Sequence, residues 1–134
     1  WRDEGHCRFV HGYSREFMFW FKAKSLDEKG WVMDFGGFKE FKLFLEDTFD
    51  HTFLANADDP ELPLFREMDK KGIVKLRVLE SVGMEGTSKF FHQKMNEYLT
   101  KKTGGRVYCF RVETRENEKN SGIYEEERSD LSFV

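Results

Sequence analysis

The chain has 134 residues, 39% hydrophobic and 35% charged, with a formal net charge of −3. That suffices for one domain over residues 1–134 with its own core, and it offers no basic footprint for nucleic acid. No apolar run approaches the roughly 20 residues of a membrane helix, and two cysteines make no disulfide framework, so no membrane partner and a reduced, cytoplasmic compartment are expected.

The strand signal comes first. Residues Ser14–Lys24 place Phe17, Phe19, Phe21 and Ala23 on one face by alternation, while Met18 and Trp20 make the other face apolar too. Such a strand is expected to be covered on both sides. Asp27–Gly30 reads as a turn and Trp31–Met33 as extended. Asp34 is placed to cap a helix predicted over 38–48, where Phe38, Phe41, Leu45 and Phe49 recur at helical spacing. The segment 51–63 reads as loop around Asp58-Asp59-Pro60, and Val74–Leu79 as a short strand. A second helix is predicted from about Glu85, its first-turn carboxylate, with Phe90, Phe91, Met95, Tyr98 and Leu99 on one side and His92 beside the stripe. It ends at Thr103-Gly104-Gly105, glycine tolerating the left-handed cap. Arg106–Thr114 is a strong strand with Gly122–Glu125 as its hairpin partner. The charged runs 115–120 and 125–130 read as solvated loop and tail. Two helices among antiparallel strands make an α+β layer structure. Fifteen Phe residues are more than a small core needs, which points to rings in subunit contacts.

Several groups carry chemistry. Cys7 is flanked by His6, Arg8 and His11, cations that favour the reactive thiolate over the alternative of a small buried hydrophobe. Cys109, between Tyr108 and Phe110 in a strand, reads as structural. His11 is a candidate metal ligand, and Tyr13 two residues on projects from the same face. A His-x-Tyr pair is a weaker zinc signal than His-x-His, since metal must displace the phenolic proton. In Asp50-His51 a carboxylate orients an imidazole and fixes its tautomer, unless the pair is a solvated loop edge. Alternation places Val107, Cys109, Arg111 and Glu113 on one face. There Glu113 is either an anchor for a ligand with two adjacent N–H donors or an exposed strand-end charge.

In this order, Cys7-x-x-x-His11-Gly12 before an aromatic strand, Met33-Asp34-Phe35-Gly36 before a helix, Phe49-Asp50-His51 and Val112-Glu113-Thr114, the set resembles the 6-pyruvoyltetrahydropterin and 6-carboxytetrahydropterin synthase family over roughly Cys7–Tyr124. The resemblance implies a tunnelling fold, with an antiparallel sheet carrying two helices on one face. Subunits of that fold assemble into a barrel as a homo-trimer or hexamer. It implies a zinc-dependent lyase converting 7,8-dihydroneopterin triphosphate to 6-carboxytetrahydropterin, for 7-deazaguanine and queuosine synthesis, or to 6-pyruvoyltetrahydropterin. Cys7, Asp50 and His51 would be catalytic, Glu113 would grip the pterin, and His11 would ligate Zn2+. Two departures stand out. Tyr13 occupies the position of a family histidine. The chain also opens at Trp1, so that the family's first strand and first zinc histidine would precede it. Val82-Gly83-Met84-Glu85 further replaces the usual Pro-Thr-x-Glu. The alternative reading is a non-catalytic, or chemically altered, pterin- or purine-binding protein on the same fold.

Overall fold

The computed structural model describes residues 1–128. The last residues of the predicted tail, 129–130, lie outside them. A single 3-10 turn at His6–Arg8 precedes β1 (Glu16–Ala23), and a second, Phe35–Phe38, leads into α1 (Lys39–Phe49). Then follow β2 (Phe53–Asn56), α2 (Leu62–Lys70), β3 (Leu76–Leu79), α3 (Met84–Thr103), β4 (Val107–Arg115) and β5 (Ser121–Glu125). Asp34 does cap, but it caps the 3-10 turn, accepting a hydrogen bond from Gly36 N–H at 3.0 Å. Gly104 ends α3 in the left-handed region at φ 63°, where a side chain would be strained.

Two sheets form. In the larger, β4 runs antiparallel between β1 and β5, and in the smaller, β2 and β3 pair in parallel. The loop expected over 51–63 is therefore corrected. Phe53–Asn56 is a strand, and α2 begins at Leu62 with Pro63 in its first turn, where the absent N–H leaves no bond unmade. The described chain thus has three α-helices rather than two, and its parallel pair departs from an all-antiparallel scheme. Four-residue strands carry too little alternation to stand out, and α2 buries no residue fully, its Phe65 resting on Phe53 at 4.9 Å.

One face of the three-stranded sheet receives α1 and α3. Phe91, fully buried, sits at the centre with the rings of Phe17, Phe41, Phe44, Phe49 and Phe90 at 5.1–6.2 Å around it. The other face is partly uncovered in the single chain, with Met18 49% and Ile123 43% exposed while Tyr108 and Glu113 on it are buried.

A bulge divides β4. Trp20 pairs with Arg111 but Phe21 pairs with Cys109, leaving Phe110 as an extra residue. The phase therefore changes within the strand. Val107 and Cys109 face the helices before the bulge, and Val112 and Thr114 face them after it, all four buried. Arg111 and Glu113 turn to the open face, beside Trp20 and Met18. The expected common face for Val107, Cys109, Arg111 and Glu113 is corrected accordingly. The bulge is stitched from α3, where Asn96 donates to Cys109 C=O at 2.9 Å and accepts from Cys109 N–H at 2.8 Å.

The stitching residue also borders a buried histidine. His92 is 5% exposed, and its Nε2 lies 3.2 Å from Asn96 Nδ2 and 3.6 Å from a Glu126 carboxylate oxygen. Burial lowers the His92 pKa from 6.5, opposed by the Glu126 carboxylate at 3.6 Å and reinforced by Arg128. A histidine whose folded pKa is depressed takes up its proton first in the unfolded chain. Its stabilising contribution is complete above 6.5 and declines as pH falls toward the folded value. Urea midpoints between about pH 7.5 and about pH 5 should therefore fall less for His92→Gln than for the native chain; equal slopes would contradict this.

Candidate functional site

The described surface carries two adjoining cavities, of about 810 and 410 Å³. They share His11, Tyr13, Arg15 and Phe53, and so form one cleft between the segment leading into β1 and the start of β2. Cys7, on the exposed 3-10 turn, lines the smaller cavity. Asp50 and His51, at the end of α1, line the larger. Five of the six predicted residues, Cys7, His11, Tyr13, Asp50 and His51, thus border one cleft. Glu113 does not. The β4 bulge sends it to the sheet's open face, where its Oε1 accepts from Arg115 Nη2 at 3.0 Å and Nε at 3.2 Å.

The Asp50–His51 contact is direct. Asp50 Oδ1 lies 2.9 Å from His51 Nδ1, and since a carboxylate only accepts, Nδ1 is the donor and Nε2 carries the free lone pair. His51 adopts φ 56°, a left-handed conformation that turns the ring away from the helix end. It is 89% exposed, with nothing of this chain excluding water from it.

His11 has the same tautomer for a different reason. Its Nδ1 lies 2.6 Å from the Phe9 carbonyl, which accepts, and Nε2 remains available as a ligand. Tyr13 does not match it. Its hydroxyl is buried without any hydrogen-bond partner, and its ring is held edge-on by Phe49 at 6.4 Å. Among the described residues no three His, Cys, Asp or Glu side chains come together as a metal set. Catalytic zinc takes three protein ligands, so the described residues do not fit a zinc ion.

Arg15 was not singled out by sequence reasoning, although it falls in register with His11 and Tyr13 at alternate positions. It is half-buried, lies 5.1 Å over the Tyr13 ring, and donates to Thr87 Oγ1 at 3.1 Å. Burial lowers its pKa, and Tyr13, Glu116 and Glu85 oppose that shift.

The family profile described as 6-pyruvoyl tetrahydropterin synthase matches residues 1–127. The chain belongs to the 6-pyruvoyl tetrahydropterin synthase family. Among its relatives is the 6-carboxy-5,6,7,8-tetrahydropterin synthase of Aquifex aeolicus, 28% identical over 125 residues covering 90% of this chain and 76% of that one. The enzyme of the same name from Rickettsia conorii is 32% identical over 69 residues, covering 45% of this chain and 50% of that one. The match thus spans about half the length of the Rickettsia relative. The solved structure of an uncharacterized protein from Wolinella succinogenes superposes with a TM-score of 0.76 at 20% identity, covering 90% of this chain and 81% of that one. That likeness and the family match establish the α+β tunnelling-type fold. No helix among the described residues is long and apolar enough to cross a membrane.

Proposed function

We propose that this chain is a pterin lyase of the 6-carboxytetrahydropterin type, acting on 7,8-dihydroneopterin triphosphate in the cytoplasm. The observation that supports it is the placement of Cys7 on one part of the cleft and the Asp50–His51 pair on the other, with His11 and Arg15 between. In this reading Cys7, acting as a thiolate, takes a proton from a side-chain carbon of the bound pterin. His51 Nε2, its opposite nitrogen held by Asp50, takes or returns a proton at the neighbouring hydroxyl. Zinc dependence is the expectation for the family. Among the described residues no three donors gather around His11, so no step here is routed through a metal.

Glu113 enters this scheme only through assembly. It faces away from its own chain's cleft, so it can grip a pterin only if copies of the chain associate into a trimer or hexamer. Association would also enclose His51 and cover Met18 and Ile123. The second reading, a pterin- or purine-binding protein without this chemistry, draws its support from the metal set that the described residues leave incomplete.

The deciding experiment is product analysis with dihydroneopterin triphosphate, with and without a zinc chelator, alongside zinc per subunit. Formation of 6-carboxytetrahydropterin supports the lyase, and its loss on chelation supports zinc dependence. A 6-pyruvoyl product moves the chain to the other branch of the family. Pterin bound without turnover favours the second reading, and absence of binding contradicts both.

A further inference from the structure

We infer that Arg15 is the anion anchor of the cleft and binds the phosphate ester of the ligand's side chain, an assignment that rests on the pterin reading above. Among the described residues Arg15 is the one Lys or Arg that borders both cavities, Lys75 lining only the larger and Arg8 only the smaller, so a group bound at the junction lies beside it. Its position is fixed from behind. Thr87, fully buried, accepts from Arg15 Nη1 and has its hydroxyl tied to Gly83 C=O at 2.9 Å and Met84 C=O at 3.1 Å. Ser88 and Thr114 extend the network at 2.7 Å, joining the start of α3 to β4. The guanidinium is thereby held at the meeting point of helix and sheet rather than left to swing in solvent.

Its bonding is also incomplete. Among the described residues Arg15 spends only one N–H donor, on Thr87, and no carboxylate reaches ion-pairing distance. Glu85 and Glu116 lie near enough to sustain its charge without neutralising it by contact. A pre-positioned, partly desolvated guanidinium with its fork free is suited to a bidentate oxyanion, and phosphate matches that fork. The Tyr13 ring over which it lies keeps the guanidinium plane from folding back. An anchor at this junction would leave the pterin's three-carbon arm spanning the two cavities, between Cys7 and the Asp50–His51 pair. It would select phosphorylated over unphosphorylated ligands.

The test compares binding of dihydroneopterin triphosphate and unphosphorylated dihydroneopterin to the full chain and to Arg15→Gln and Arg15→Lys. The native chain should prefer the triphosphate, and Arg15→Gln should erase about 10- to 100-fold of that preference while leaving the unphosphorylated ligand unaffected. Arg15→Lys should retain part of it, with a steeper dependence on salt. Inorganic tripolyphosphate should compete with the triphosphate ligand in the native chain and lose that ability in Arg15→Gln. Equal loss of both ligands in Arg15→Gln would make Arg15 a structural residue and overturn the inference. An undiminished preference would do the same. If neither dihydroneopterin triphosphate nor dihydroneopterin binds the native chain, the pterin reading fails as well.

Discussion

Replacing Cys7 by alanine is expected to lower kcat by about 10²–10⁴-fold, the usual worth of a positioned proton-transfer group. Affinity for dihydroneopterin triphosphate should be unchanged, because Cys7 sits on an exposed turn whose backbone does not depend on its side chain. The substitution removes no buried contact, so the variant should unfold at the same urea concentration as the native chain. Single-turnover rates with bound ligand separate the two quantities. A kcat within error of native would remove Cys7 from the mechanism and leave the Asp50–His51 pair as the sole proton carrier. A fall in affinity equal to the fall in rate would make it a binding residue instead.

Phe91→Ala is expected to have the largest effect on stability, about 3–5 kcal/mol, combining lost transfer energy with the cavity left among five surrounding rings. Against a total of about 5–15 kcal/mol for a typical domain, that brings the chain close to unfolding. Phe91→Leu should cost markedly less, since it keeps most of the apolar volume. Urea denaturation of the two variants gives the comparison. A loss below about 1 kcal/mol in the alanine variant would mean that the ring cluster collapses into the gap, so that Phe91 is not the keystone of the core.

The parts legible in the sequence were those with long, repeated signals. The aromatic alternation of β1, the apolar stripe of α3 and the Gly104 stop gave elements within a few residues of those observed. Asp50 and His51 stand at the end of a helix that the pattern located, while Cys7 and His11 precede the aromatic strand and were found from their residue types alone. What escaped were features that depend on a single residue or on a partner distant in the chain. Nothing around Phe110 announces a bulge, yet that one residue reverses the facing of Arg111 and Glu113. His92 read as an ordinary helix position because Glu126, which faces its ring, lies far along the chain. Arg15 was passed over because arginine in an aromatic strand reads as an exposed charge until Thr87, distant in sequence, is seen behind it.

The pair of hydrogen bonds between Asn96 and Cys109 also bears on the order in which the chain folds. Beside the extra residue the neighbouring helix satisfies the Cys109 N–H and C=O, while the Phe110 C=O accepts from Glu126 N–H at 2.8 Å. α3 and β4 are joined by a short glycine turn, so this contact closes a small loop at little entropic cost. β1 must reach β4 from the opposite end of the chain. A nucleus of α3 on β4, with its irregularity already in register, would therefore present β1 with a template whose facing is decided. The arriving Phe17, Phe19 and Phe21 then have one productive alignment, and slippage by a residue would place them on the open face.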